Sequence, residues 1–290
     1  MTKTNQKISR KNKIDKFGAY DVVIYVILAI IAMLVLIPIW KVLVDSFDLQ
    51  TAYGMKFIPE RFGLAGYRSV FTNPTLYQPL QNSVFVTVFG TLIAMLISTL
   101  AAYVLIQWDM PGRNFFAGLL LFTMIFNGGM IPTFLVVRSL NLNNNLWGII
   151  LISALNVYNL VLMRNFFEGI PPEMFEAAEI DGASPFKTFL VIVLPLSKAA
   201  LASIGLLYMV SYWNDYTNFK IYITDSDLYN FQMKLRSIIL GSDLPTATGG
   251  ATANTVQNAA IITAILPFMI IYPMLQKYFV TGLNIGAVKG

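Results

Sequence analysis

A chain of 290 residues that is 56% hydrophobic and 12% charged lies well outside the composition of a soluble domain, where roughly a quarter of residues carry charge, and it reads as an integral membrane protein. The absence of cysteine and histidine excludes disulfide stapling, thiolate or imidazole metal sites, and triad or zincin chemistry. The net charge of +5 is gathered at one end, where Lys3, Lys7, Arg10, Lys11, Lys13 and Lys16 are opposed only by Asp15 before Asp21.

Apolar runs long enough to cross a bilayer as helix, about 20 residues, predict six spans. The first, Val22 to Val44, follows the basic tail, which the positive-inside rule keeps in the cytoplasm. It is too long to be a removed signal peptide and lacks a small-residue cleavage site. From about Asp45 to Asn82 an external segment mixes Pro59, Gly63, Gly66, Pro74 and Pro79 with Phe57, Tyr67, Phe71 and Tyr77, which predicts a small ordered cap. Spans two to four follow as Ser83 to Ile106, Phe115 to Val137 and Leu146 to Met163. The fifth, Ala199 to Trp213, has the shortest continuous apolar part and carries Ser203, Ser211 and Tyr212, residues a span tolerates when they face protein or a water-filled path.

A second external segment, about Asn214 to Gln257, ends in the uncharged run Thr246 to Asn254. Loops of that length are functional or disordered, and both readings stay open here. Span six, Ala259 to Phe279, returns the C-terminus to the cytoplasm. No internal repeat or domain linker is visible, so residues 1–290 read as one multi-span domain with a tail over 1–20 and a core transport unit over about 80–280.

The segment between spans four and five is polar and falls on the cytoplasmic side. Pro171 and Pro172 can open a helix, and Glu173, Glu176, Glu179 and Asp181 place acid near its start, where the helix dipole favours it. Gly182 permits a sharp turn or a close backbone approach. Ser184 can cap a second helix with Pro185 at its first position, leaving Phe186, Phe189 and Leu190 on one face. The expected product is a short helix-turn-helix at the membrane surface; an amphipathic loop resting on lipid headgroups is the plainer reading.

Glu176-Ala177-Ala178, three residues, Gly182, nine residues, then Ile192-Val193-Leu194-Pro195 resembles the EAA loop of ABC importer permeases at every fixed position. The whole chain resembles the carbohydrate-uptake branch of that family, of the maltose-permease type. Asn127-Gly128-Gly129-Met130-Ile131-Pro132-Thr133, Met163-Arg164-Asn165-Phe166-Phe167, Ile170-Pro171, Trp213-Asn214-Asp215 and the ending Gly286-Ala287-Val288-Lys289-Gly290 carry the likeness. The resemblance implies an all-α membrane fold, six transmembrane helices of a type I importer permease with a cytoplasmic EAA coupling loop, in the cell membrane with both termini inside.

It also implies partners: a second permease forming a heterodimer, two ATPase subunits holding ATP and Mg, and an extracytoplasmic sugar-binding protein. No cofactor and no nucleic acid are expected on this chain, and it is expected to perform no covalent chemistry. Coupling to the ATPase is carried over to Glu176, Ala177, Ala178 and Gly182, and tail contacts to Lys289 and Gly290, for which a basic end drawn to anionic lipid is the alternative. The external run, with Gly249, Gly250, Ala251 and Thr252, is read by likeness as a loop entering the binding protein.

For the solute path, polar residues inside spans are the candidates: Asn127, Asn156, Asn159, Tyr208, Ser211 and Tyr212. Amide groups can bond sugar hydroxyls and aromatic faces suit sugar rings. Interhelical hydrogen bonding explains a buried asparagine equally well. Trp213 and Asp215 read as anchors of the outer mouth.

A secondary transporter would leave ionisable residues near mid-membrane and a membrane enzyme would need convergent nucleophile, base or metal ligands; the spans show neither. No G-x-x-x-x-G-K-[ST] loop supplies ATP hydrolysis. Within the importer class, a polyol, glycerol phosphate ester or peptide is the alternative solute.

Overall fold

The computed structural model describes residues 19–50, 54, 56–107, 109–241 and 249–287, and side chains within 20–276 of that set. Lys289 and Gly290 lie outside it, as do residues 246–248 of the external run. Among the described residues the structure is helical, with one isolated antiparallel bridge between Asp48 and Phe62.

Three helices are long and apolar enough to cross a membrane unaided: α1 (Ala19–Phe47), α3 (Pro74–Ile106) and α14 (Ala253–Ala287). The third and fourth predicted spans are each broken, and the fifth crossing is longer than the predicted Ala199 to Trp213, with a bend just ahead of it. Helices α4 (Arg113–Ile125) and α5 (Met130–Ser139) meet at 116°, α6 (Leu146–Ile152) and α7 (Val157–Glu168) at 53°, and the fifth crossing bends by 83° at Ser197. Apolar composition licenses a span but not its straightness. Asn127 and Asn156 sit in the breaks: the Asn127 side chain accepts the Gly129 N–H at 2.9 Å in the turn before α5, and that of Asn156 accepts the Asn159 N–H at 3.1 Å as the N-cap of α7.

The predicted boundaries of the external segments also move. Asn73 caps α3 by accepting the Thr75 N–H at 3.1 Å with Pro74 at the first position, so residues 74–82, read as loop, are the first turns of the long helix. The second segment is mostly ordered. It holds α12 (Thr217–Tyr222), a short 3₁₀ turn over Ser226–Leu228 and α13 (Phe231–Ile239).

Two apolar clusters hold the chain together. The larger joins α3, α6, α7, the fifth crossing and α12 around Met163, Phe167, Ile204, Tyr208, Tyr212 and Phe219. At Gly90 the approach of α3 to the fifth crossing is so close that an added Cβ would lie 2.7 Å from the Tyr212 ring. The smaller cluster packs α2 (Ala65–Thr72), the start of α3, α13 and the start of α14 through Val70, Leu76, Phe231, Leu235, Ile238 and Val256. On α13 the inward residues Phe231, Leu235 and Ile238 follow the helical stripe. In contrast α1 keeps its apolar side chains on the outside of the bundle, from Val22 to Trp40, as a lipid-facing helix does.

The predicted cap is organised by one carboxylate. Asp48, 1% exposed, accepts backbone N–H groups from Gln50 at 3.0 Å, Glu60 at 3.1 Å and Arg61 at 3.2 Å, while its own carbonyl accepts the Thr255 hydroxyl at 2.7 Å. Around it Phe47 stacks on Phe62 and the Ser46 and Tyr67 hydroxyls bond at 2.8 Å. Burial pushes the carboxyl upward, but the N–H groups of Glu60, Gln50 and Arg61, with the charge of Lys56, outweigh it and hold the pKa below its ordinary 3.8.

A depressed folded pKa gives stability that is present above the unfolded value and lost as pH falls through the folded one. Asp48→Asn should therefore destabilise the chain by about 2 kcal/mol near neutral pH and lose less stability than wild type on acidification below about pH 4. Thermal unfolding in detergent across that range checks this. Equal melting of both proteins at neutral pH would remove Asp48 as the organiser of the cap.

Candidate functional site

The segment between α7 and the fifth crossing folds as a helix-turn-helix. Helix α8 (Pro172–Ile180) ends in a Schellman turn: Gly182 N–H donates to the Glu179 carbonyl at 3.0 Å and Ala183 N–H to that of Ala178 at 2.9 Å. Gly182 has φ +69° and open space where a Cβ would stand, so the turn requires glycine for its left-handed backbone and not for a close approach. Ser184 then caps α9 (Pro185–Thr188) by accepting the Lys187 N–H at 3.3 Å.

From α9 the chain passes into the fifth crossing through a π turn over Phe189–Val193 and a short α10 (Leu194–Leu196), in which Leu194 N–H reaches back to the Phe189 carbonyl. Pro195 has no N–H to give, and after Ser197 the chain bends into α11 (Lys198–Trp213).

Glu176 and Ala177 are exposed on α8, and no ion pair among the described residues engages Glu176. Ala178 instead packs into its own chain at 5% exposure. Ile180 and Phe186 present apolar side chains outward, 86% and 63% exposed, whereas Phe189 is buried against Tyr103 with ring centroids 5.0 Å apart. The face that remains uncovered thus combines carboxylates, Glu173, Glu176, Glu179 and Asp181, with apolar groups.

This segment is rooted in the bundle by residues that sequence reasoning passed over. Tyr103, near the end of α3, donates its hydroxyl to the Pro185 carbonyl at 2.8 Å. Arg113 at the start of α4 donates from Nε to the Leu105 carbonyl at 2.8 Å and pairs with Glu168 at 3.3 Å, and Arg164 pairs with the same carboxylate at 2.8 Å. The ends of α3, α4 and α7 are therefore clamped beside α8. Charges at the margins of predicted spans were the visible signal; their pairing across 55 residues was not.

The six residues named for a solute path do not form one site. Asn127 and Ser211 are exposed, and Asn127 makes the turn between α4 and α5. Asn156, Asn159 and Tyr208 meet at the break between α6 and α7, where the Tyr208 hydroxyl receives the Asn156 N–H at 3.1 Å and bonds Ser98 at 2.7 Å. Tyr212 donates its hydroxyl to the Ile150 carbonyl at 2.8 Å, a group left without its intrahelical donor where α6 ends. The two tyrosines serve the broken helix, each filling a polar vacancy in the backbone.

Trp213 donates its indole N–H to the Ala264 carbonyl at 3.0 Å, joining α11 to α14, and Asp215 accepts the Asn218 N–H at 3.0 Å and its amide at 2.9 Å. Of the external run, Gly249 and Gly250 form a left-handed turn, Ala251 packs on the smaller cluster, and Thr252 caps α14 by accepting the Thr255 N–H at 3.1 Å.

The role of Tyr212 gives a prediction. Tyr212→Phe keeps the ring over Gly90 but strands the Ile150 carbonyl, and should cost about 1–3 kcal/mol as a lowered melting midpoint, with solute selectivity unchanged. An altered selectivity at unchanged stability would make the hydroxyl a solute contact instead.

Comparison with known proteins agrees with this architecture. Residues 110–285 match the family model described as binding-protein-dependent transport system inner membrane component. The chain is 41% identical over 281 residues to the polygalacturonan/rhamnogalacturonan transport system permease protein YtcP of Bacillus subtilis (strain 168), covering 93% of this chain and 98% of that one. It is 38% identical over 280 residues to protein LplC of the same organism, covering 93% and 95%. Among solved structures, a chain of a bacterial ABC transporter involved in the import of the acidic polysaccharide alginate superposes with a TM-score of 0.83 at 33% identity, over 90% of this chain and 96% of that one. The fold, with each bent pair counted as one crossing, is that of a type I ABC importer permease, and the chain belongs to the family of binding-protein-dependent transport system inner membrane components.

Proposed function

We propose that this chain is the permease subunit of an importer that moves an oligosaccharide across the cell membrane, with ATP and Mg held and hydrolysed by two partner ATPase subunits. A second permease completes the path, and an extracytoplasmic binding protein delivers the sugar. The observation that carries the reading is the helix-turn-helix of α8 and α9, uncovered at Glu176, Ala177, Ile180 and Phe186 yet continuous in backbone with the fifth crossing. A carbohydrate as solute is supported by relatives named for polygalacturonan/rhamnogalacturonan and alginate transport.

In this mechanism the chain holds no reacting group. Among the described residues no cluster could hold a metal ion, and the work enters as differential contact of the ATPases with two states of the permease pair, as a ligand-driven shift requires. Motion of α8 is passed on through the Tyr103 bond to Pro185 and the π turn into α11. The basic first tail, by the positive-inside rule, puts α8 and both termini in the cytoplasm, and the coupling residues are taken as Glu176, Ala177 and Gly182 with Lys289 and Gly290 of the tail, while Ala178, buried in its own chain, seats α8 on the bundle. Residues 1–290 act as one permease domain.

Gly182→Val places a β-branched residue at φ +69°, a strain of about 1–2 kcal/mol, and Glu176→Lys reverses the exposed charge. Both variants should insert normally, copurify with at most a fifth of the wild-type ATPase, and lose ATP-driven uptake in proportion. Normal uptake by both at normal membrane levels would sink the coupling assignment. Orientation is checked separately: cysteine in place of Glu179 should be protected from an impermeant thiol reagent in intact cells and cysteine in place of Glu60 labelled, and the reverse pattern would overturn the topology.

A further inference from the structure

At the end of the molecule opposite α8 lies a concave site. Tyr103, near the end of α3, touches the α9 segment; the first turns of α3, 29 residues earlier by position, therefore stand roughly 40 Å away along the same helix and form, with α12, the 3₁₀ turn and α13, a pocket of about 510 Å³. That volume falls within the range of about 300–1,000 Å³ typical of small-molecule sites.

Its lining is chemically biased. Lys220, Lys234 and Arg236 line it with Asp227 as the only acid among the described residues. Arg236 lies over the Tyr216 ring at 4.5 Å from the centroid, a cation–π contact that holds the guanidinium at the wall of the site. Hydroxyl groups of Thr75 and Ser226 complete the wall.

The walls are fixed before any ligand arrives. Gln78 donates to the Asp227 carbonyl at 3.0 Å, and Asn82 donates to the same carbonyl at 2.8 Å and to that of Tyr229 at 3.0 Å, stitching the 3₁₀ turn to α3. Asn230 caps α13 by accepting the Met233 N–H at 3.0 Å and donates to the Asp215 carbonyl at 2.7 Å. Preorganisation of this kind lowers the cost of binding.

We propose that this pocket is a subsite for the carboxylate of an acidic saccharide, a uronate unit, held by Arg236 and Lys220 with Lys234 adding to the field. A guanidinium can take a carboxylate through two parallel hydrogen bonds, the excess of cations draws an anion, and hydroxyl and phenol groups around them match sugar hydroxyls. The proposal deepens the carbohydrate reading and rests on it.

The test measures binding of digalacturonate to the complete permease and ATPase complex, without binding protein, in nanodiscs of neutral phosphatidylcholine, by isothermal titration. Digalacturonate should bind and weaken with added salt, and its dimethyl ester should bind about tenfold less tightly, the share of one charge-assisted contact. K220Q and R236Q should each lower digalacturonate affinity by a similar factor and leave that of the ester unchanged. The salt dependence of the wild-type complex keeps the proposal falsifiable even where a variant assembles poorly. Equal binding of acid and ester, no binding by wild type, or affinity unchanged in both variants would overturn it. ATP-driven saccharide uptake by the full importer separates the two levels: uptake without acid binding removes this subsite alone, and failure to take up any saccharide removes both readings.

Discussion

In a hydrocarbon solvent every backbone polar group must find its partner within the protein, and this chain breaks three of its crossings. The arrangement of the bundle depends on how those breaks are satisfied. Tyr212 on α11 supplies the donor that the Ile150 carbonyl lacks, and four residues before it Tyr208 bonds the Asn156 backbone and the Ser98 hydroxyl of α3. One face of α11 therefore fixes the α6/α7 break and the register of α3 together. Gly90 is the place on α3 that admits the Tyr212 ring, so a missing side chain on one helix allows the bond that mends another.

The α8 turn does not hang on a flexible linker, because Tyr103 holds Pro185 and the pair of Arg113 and Arg164 on Glu168 ties the neighbouring helix ends. At the other end Asp48 gathers the cap and reaches α14 through Thr255. Polar knots at the two ends and tyrosine bonds in the middle leave the lipid-facing surface, including α1 from Val22 to Trp40, to apolar side chains.

Much of this was legible in the sequence, and what was not has physical causes. Six apolar runs and the Glu176 to Pro195 spacing are one-dimensional signals, and the helix ends at Gly182 and Ser184 follow from local backbone preference. The breaks within spans were hidden because a run such as Leu146 to Met163 is apolar on both sides of its kink. Asn127 and Asn156, read as solute contacts for being polar inside apolar stretches, make the turn before α5 and the N-cap of α7. Thr252, read as part of an external loop, is the helix cap its residue type favours. Tyr208 and Tyr212 could not be assigned without knowing that carbonyls would be stranded opposite them, and Asp48 binds groups 12 and 13 residues away.

The central claim is that α8 and its turn are the surface on which an ATPase acts. Because the chain has no native cysteine, a single cysteine in place of Ala177, exposed on α8, can carry a short photoactivatable crosslinker in the assembled complex. The account predicts a covalent product with the ATPase subunit, its yield changing between the nucleotide-free and ATP-bound states, and none from a cysteine in place of Thr224 at the opposite end. An Ala177 position that captures only lipid in both states, in a complex that still transports, would contradict it.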